Sequence, residues 1–239
     1  MKNKNEKTSA MKNKILAASI SLFAQKGFDG ASVSEIAKLA GVNKALIYYY
    51  FKNKNDILES LFNDLLQSIQ QIAADFANNR KQLLNGSSMP ELIDGKLVFN
   101  DAEAKEQFIK ITKAFYETLV YAMIEQRKLI RILMIESLKY NSKDKHLFKI
   151  ATLQPDFFGG SDMEQLVNYL MEFYGSKKTR FYLFFHSLVP VFSFAAFYDK
   201  FRAIYDSGDE EMVKEFLLVN DLQLRSFIEW NSRIADQQS

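Results

Sequence analysis

Cysteine is absent from this sequence of 239 residues. That absence excludes disulfides, thiolate metal sites and a cysteine nucleophile, and it fits a reducing cytoplasm. Histidine occurs only at His146 and His186, far apart, and the chain contains neither HExxH nor GxSxG nor a phosphate-binding glycine loop. The glycines of "DFFGGSD" have no following lysine and read as a loop. With these motifs missing, no catalytic residue, metal ligand or cofactor is expected, and the chain is not read as an enzyme. Three prolines and nine glycines are few against 48% hydrophobic residues. Sheet proteins need more tight turns and disordered chains fewer apolar residues, so an all-α fold is expected.

Long hydrophobic runs are also scarce. "FYLFFHSLVPVFSFAAFY", from Phe181 to Tyr198, is uncharged for eighteen residues. That sits at the lower limit for a membrane span of about 18–20 residues. His186, Ser187, Ser193 and Pro190 argue against lipid, and basic residues flank both ends. A helix buried on most sides, in a core or a subunit interface, is expected, with Pro190 kinking it or ending a segment. At the N-terminus, a lysine-rich start followed by apolar residues mimics a secretory signal. Ile15, Ser19, Leu22, Phe23 and Lys26 nevertheless fall at helical spacing, with Lys12, Lys14 and Gln25 interrupting the apolar face, which predicts an amphipathic helix.

Charge is distributed unevenly. Formal net charge is only +2, yet residues 1–60 hold ten lysines against five acidic residues, and the remainder is slightly acidic. A basic N-terminal module points to a polyanionic partner at that end, although a lysine-rich solubilising surface would look the same.

Apolar periodicity predicts helices near 10–27, 33–40, 44–51 and 54–79. A loop is predicted where Asn85, Gly86, Ser87, Ser88 and Pro90 cluster. Asp101 is a candidate cap for a helix to about Arg127, and another helix follows through "KLIRILMIESLKY". Beyond a mixed stretch, Asp162 opens a helix ending near Gly175, and two closing helices run roughly 177–205 and 209–235. Between them Gly208 is the expected stop and Asp209 the expected cap.

"SVSEIAKLA" and "KALIYYYF" are separated by Gly41, Val42 and Asn43, a spacing that predicts a helix-turn-helix with Gly41 at the turn. Ile36, Ala37, Ala40, Val42 and Ile47 would form its small core, and Ile47 with Phe51 gives the second helix an inward face at i, i+4. At about 100° per residue, Tyr48, Tyr49 and Tyr50 cannot share that face, and Ala45 and Tyr49 point almost opposite it. Such a helix fits a DNA major groove, with tyrosines bonding phosphate oxygens, although half-buried packing of a helical module would place them similarly.

The stretch "ILAASISLFAQKGFDGASVSEIAKLAGVNKALIYYYFKNKNDIL", roughly residues 14–60, resembles the DNA-binding pattern of TetR-type bacterial transcriptional repressors. Leu22-Phe23, Gly27-Phe28, Ser32-Val33, Ile36-Ala37, Ala40-Gly41-Val42, Ile47-Tyr48, Tyr50-Phe51 and Lys54 fall in register. The resemblance implies a helix-turn-helix domain over 1–53 and a larger helical effector-binding and dimerisation domain over 54–239. It further implies that Ser32 and Ser34 reach phosphate or a base edge, and that Lys44, Ala45, Leu46 and Tyr49 face the groove. Tyr48, Tyr50 and Lys54 would hold phosphates, while Asn43 would cap the recognition helix. Ala45 stands where that family often has glycine, and Leu46 where it often has serine or threonine, so the operator sequence does not carry over.

By the same resemblance, the chain is expected to be a homodimeric, cytoplasmic regulator of a double-stranded DNA operator, released by a mostly apolar small molecule and without a membrane role. The alternative is a C-terminal platform for dimerisation or protein contact with no such effector, and activation stands beside repression. Phe115, Tyr116, Met123, Met134 and Phe173 are the candidate pocket-lining residues. Phe185, Leu188, Phe192, Phe216 and Phe227, on the closing helices, are the candidate dimer interface.

Overall fold

The computed structural model describes residues 2–83, 89–139, 181–206 and 208–235. The expected helix from Asp162 to Gly175, the Asn85–Ser88 part of the expected loop, "DFFGGSD", His146 and Phe173 lie outside the described residues. The helices introduced here are α1 (Lys2–Gly30), α2 (Val33–Ala40), α3 (Lys44–Tyr50), α4 (Lys54–Leu83), α5 (Ala102–Glu125), α6 (Arg127–Ser137), α7 (Val189–Tyr205) and α8 (Asp209–Trp230). The chain divides into two compact units, Met1–Gln67 with Gln126–Leu147, and Ser68–Glu125 with Phe148–Ser239. Helix α4 belongs to the first through Gln67 and to the second from Ser68.

In the first unit, α1 packs on α2 and α6. Ile15, Phe23, Ile36, Ile47, Phe51, Ile57, Phe62, Ile130 and Leu133 are among its buried side chains. Each such side chain contributes about 1.5–3 kcal/mol relative to exposure. The regular path of α1 breaks at Gly27, whose φ of +75° favours glycine. Helix α2 ends in a Schellman closure: Gly41, at φ +65°, donates its N–H to Lys38 O, and Val42 donates to Ala37 O. Ile36, Ala37 and Ile47 are buried between the two short helices, with Ala40 and Val42 half-buried beside them.

The second unit departs from the all-helical expectation by one small sheet. Strands β1 (Glu91–Ile93) and β2 (Lys96–Phe99) pair antiparallel, Glu91 opposite Val98 and Ile93 opposite Lys96. Strand β3 (Ser232–Ile234) joins β2 in parallel, so the last helix stops at Trp230 rather than near 235. The hairpin turn is Asp94-Gly95, both at positive φ, as a two-residue turn of the primed type requires. Leu97 and Phe99 drop into a cluster with Ala104, Ile109, Leu224, Phe227 and Ile228, which anchors the sheet on α5 and α8. Lys105 pairs with Glu229 (2.6 Å) and Arg225 with Glu106 (3.1 Å) at the exposed margin of these helices.

Asp101 caps α5 through an Oδ1 acceptor for the Ala104 N–H (2.7 Å). Pro190 stands where one helical segment gives way to the next. A π-helical turn, Leu183–Leu188, precedes α7, and the Val189 N–H reaches Phe184 O five residues back. Proline has no N–H to give and crowds the preceding turn, and this wider turn places Pro190 in the first turn of α7, where both are tolerated. Between α7 and α8 the expected roles shift. Asp206 takes the left-handed position after α7, Gly208 precedes α8, and Asp209 lies in the first turn of α8. The uncharged run buries one face (Leu183, Ser187, Val191, Phe192, Ala195, Tyr198) and exposes Phe181, Phe185 and Phe197. Among the described residues no helix is long and apolar enough to cross a membrane.

Candidate nucleic-acid interface

Helix α3 has seven residues, too few to persist alone, since isolated helices shorter than about 12–15 residues are marginal in water. Two side chains hold it: Ile47 is 1% exposed and Phe51 2%. Its start is fixed by Asn43, whose side-chain oxygen accepts the Leu46 N–H (2.8 Å). With one edge pinned, the opposite edge is free. Lys44 and Ala45 are exposed, Tyr48 is 50% exposed and Tyr49 77%, whereas Leu46 and Tyr50 are half-buried. Tyr49 and Tyr50 meet edge to face at 5.1 Å between ring centroids, and the Lys44 ammonium lies 5.8 Å from the Tyr48 ring. The structure thus brings a cation and two phenol groups to the outward face of α3.

Ser32 is placed differently from Ser34. Ser34 is exposed in the first turn of α2. Ser32 caps that helix: its hydroxyl accepts the Glu35 N–H (3.2 Å) and donates to Glu35 Oε2 (2.7 Å), and Glu35 Oε2 also accepts the Ser32 N–H (2.9 Å). Its one donor is therefore turned to Glu35 rather than outward. The Ser-x-x-Glu spacing is a capping-box signature legible in the sequence. Lys14, Lys38 and Lys52 are further exposed cations of this unit; Lys14 and Lys38 stand on the polar sides of α1 and α2, and Lys52 in the bend before α4.

The Glu35 carboxyl is held down to about 2, first by a hydrogen bond from the Lys26 ammonium (2.5 Å) and then by the Ser32 hydroxyl and amide. Its folded value lies below its ordinary 4.5, so the stabilisation is complete above about pH 4.5 and is lost as the pH falls toward 2. Glu35→Gln should flatten that part of the acid-unfolding profile, read by circular dichroism. Ser32→Ala should cost about 0.5–2 kcal/mol in urea unfolding.

Lys54 turns away from solvent. Its ammonium donates to the carbonyl oxygens of Phe28 (2.7 Å) and Ala31 (2.9 Å), reaches Asp29 O at 3.4 Å, and sits 4.4 Å from the Phe28 ring centroid. The start of α4 is capped by Asn53, whose Oδ1 accepts the Asp56 N–H (3.0 Å), while Asp56 Oδ2 accepts the Lys52 N–H (2.9 Å).

Residues 15–61 match the family described as bacterial regulatory proteins, tetR family. They form a tetR-family module. "Probable HTH-type transcriptional regulator YttP" of Bacillus subtilis (strain 168) is 32% identical over 139 residues, 58% of this chain and 61% of that protein. The fatty acid metabolism regulator protein of the same organism is 45% identical over 62 residues, 26% of this chain and 32% of that protein. The chain thus spans less than two thirds of the length of these curated relatives. The structure of fatty acid degradation regulator FadR from Bacillus halodurans matches with a TM-score of 0.53 at 20% identity, covering 90% of this chain and 94% of that one, a likeness of fold. The match of the tetR-family module contains every residue assigned above to the inward and outward faces of α3.

Outside the module the candidate residues scatter. Phe115 and Tyr116 are half-buried in the second unit, where Phe115 packs 5.0 Å from Phe76 and the Tyr116 hydroxyl shares a hydrogen bond with Ser187. Burial pushes the Tyr116 hydroxyl above its usual range. Met123 is fully buried, and Met134 belongs to the other unit. Two surface hollows are described in the second unit. One, of about 580 Å³, runs between α7 and α8 past Phe194, Phe197, Phe201, Met212 and Phe216; the other, of about 400 Å³, lies by Tyr182, His186 and Trp230. Of the described candidates, Phe115, Tyr116, Met123 and Met134, none lines either. Of the candidate interface residues, Phe185 is exposed and Leu188 and Phe216 are half-buried, but Phe192 and Phe227 are buried within their own chain. Phe227 belongs to the sheet-anchoring cluster and stacks on Tyr182 at 3.7 Å. Phe227 also lines the smaller hollow.

Proposed function

We propose that the chain is a sequence-specific DNA-binding transcriptional regulator, acting as a cytoplasmic homodimeric repressor of a palindromic operator that a mostly apolar small molecule releases. The observation that carries this is the division of α3, inside a tetR-family module, into a buried edge (Ile47, Phe51) and an exposed edge (Lys44, Ala45, Tyr48, Tyr49). Lys44 would donate to guanine O6 and N7, Ala45 and Leu46 would meet thymine methyls, and Tyr49 would face the groove. Tyr48, Tyr50 and Ser34 would bond phosphates, while Ser32 and Asn43 fix the helices that carry them. Residues 1–53 would be the DNA-binding domain and 54–239 the effector-binding and dimerisation domain. Two recognition helices about 34–36 Å apart would then read an inverted repeat.

The test is fluorescence anisotropy on duplex DNA from the region upstream of the protein's own gene. Affinity should fall steeply with salt, the logarithmic slope being about −0.9 per phosphate neutralised. Folded protein that shows no such binding at moderate salt refutes the proposal.

A second possibility is favoured by the exposed aromatic and aliphatic side chains of α7 and α8, Phe197, Phe201, Leu218 and Leu222 among them. On it the larger domain is a platform for dimerisation or protein contact without an effector. Native mass spectrometry for co-purifying apolar ligands, followed by a DNA-release assay with any ligand found, separates the two.

A further inference from the structure

We infer that Lys54 is a positioning residue of the DNA-binding module and not a ligand of the DNA backbone. This rests on the function proposed above and assigns one of its residues a different role. The carbonyl groups at the end of α1 have no partners within their own helix and carry the negative end of its dipole. Lys54, from the first turn of α4, meets them. An ammonium has three protons. The Phe28 and Ala31 oxygens take two at 2.7 and 2.9 Å, the Asp29 oxygen lies on the third at 3.4 Å, and the Phe28 ring stands 4.4 Å away. A phosphate at this position would have to break these bonds before it could accept one.

The same short segment is held from a second side. Lys139 donates to Asp29 Oδ2 and pairs with Glu136 Oε2, both at 2.7 Å, and Arg131 reaches Ala24 O at 3.3 Å. The gripped segment follows the break at Gly27 and leads directly into Ser32, the cap of α2. Its placement sets where α2 begins, and α2 carries α3 through the closure at Gly41. Lys54 thus acts on DNA through the placement of α2 and α3.

Salt dependence separates the two roles. A lysine on a phosphate contributes about 0.9 to the logarithmic salt slope, whereas a lysine bonded to its own chain contributes nothing. The experiment compares wild type, Lys54→Met and Lys54→Gln on one labelled 30-base-pair duplex of random sequence over a salt series, with folding checked by circular dichroism. Methionine keeps the stem without a donor, and glutamine restores uncharged donors to the carbonyls.

Lys54→Met should bind several-fold more weakly at every salt concentration with the wild-type slope. Lys54→Gln should recover part of that loss with the same slope. A slope lower by about 0.9 in both variants makes Lys54 a backbone ligand and overturns the inference. So does unchanged affinity in Lys54→Met. If Lys54→Met does not fold, Lys54→Gln alone decides by its slope. Absence of salt-dependent binding by wild type overturns the proposed function itself, a different result from a wild type that binds beside a variant whose slope has changed.

Discussion

Phe51→Ala is expected to destabilise the first unit by about 3–5 kcal/mol and to abolish DNA binding at concentrations that saturate wild type. The ring is 2% exposed at the end of a seven-residue helix, and the residue's N–H closes that helix on Ile47 O at 2.8 Å. Removing the ring leaves a cavity where α3, with Ile47, is seated on the rest of the unit. Urea unfolding followed by circular dichroism reads the stability, and anisotropy reads the binding. Tyr49→Ala is the matched contrast. Tyr49 is 77% exposed, so its loss should change stability by no more than about 0.5 kcal/mol while still weakening DNA binding. Near-wild-type stability in Phe51→Ala would mean that α3 is not seated as described.

The second large effect concerns selectivity. Lys44→Ala should lower the preference for the best duplex over a scrambled one by about 1–3 kcal/mol, the range for a good contact to a guanine edge. Tyr48→Phe removes only a hydroxyl and should weaken binding to both duplexes by a similar factor. Lys44 lies 5.8 Å from the Tyr48 ring, so the two changes should be non-additive when combined. Binding titrations of the four proteins on the two duplexes give both numbers. Equal loss on both duplexes in Lys44→Ala would move this lysine from the base edge to the backbone.

Much of the module was legible because period and punctuation agree there. Ile36, Ala37, Ile47 and Phe51 fall on inward faces, Gly41 sits where left-handed backbone is needed, and Asn43 precedes the helix it caps. What escaped are matters of hydrogen bonding and of partner. Ser32 and Lys54 are both polar and both stand at helix starts, which suits an anion equally well as a cap or a carbonyl clamp. The positions of Glu35 and of the Phe28 and Ala31 oxygens support the cap and the clamp.

In the larger unit, scarcity of glycine and proline hid a sheet of three short strands. Its one local mark was Asp94-Gly95 between "ELI" and "KLVF", a strong hairpin signal outweighed by overall composition. The third strand pairs across more than a hundred residues, beyond the reach of local periodicity. Phe192 and Phe227 show the same limit from another side. Hydrophobicity predicts that a side chain is covered, but not whether its own chain or a second copy covers it.

The most direct test of a sequence-reading module is selection of duplexes from a randomised pool by the full chain at moderate salt, followed by sequencing. Enrichment of an inverted repeat whose half-sites lie one helical turn apart is expected, weakened in Lys44→Ala and lost in Phe51→Ala. Folded wild-type protein that enriches no sequence over the starting pool would contradict it.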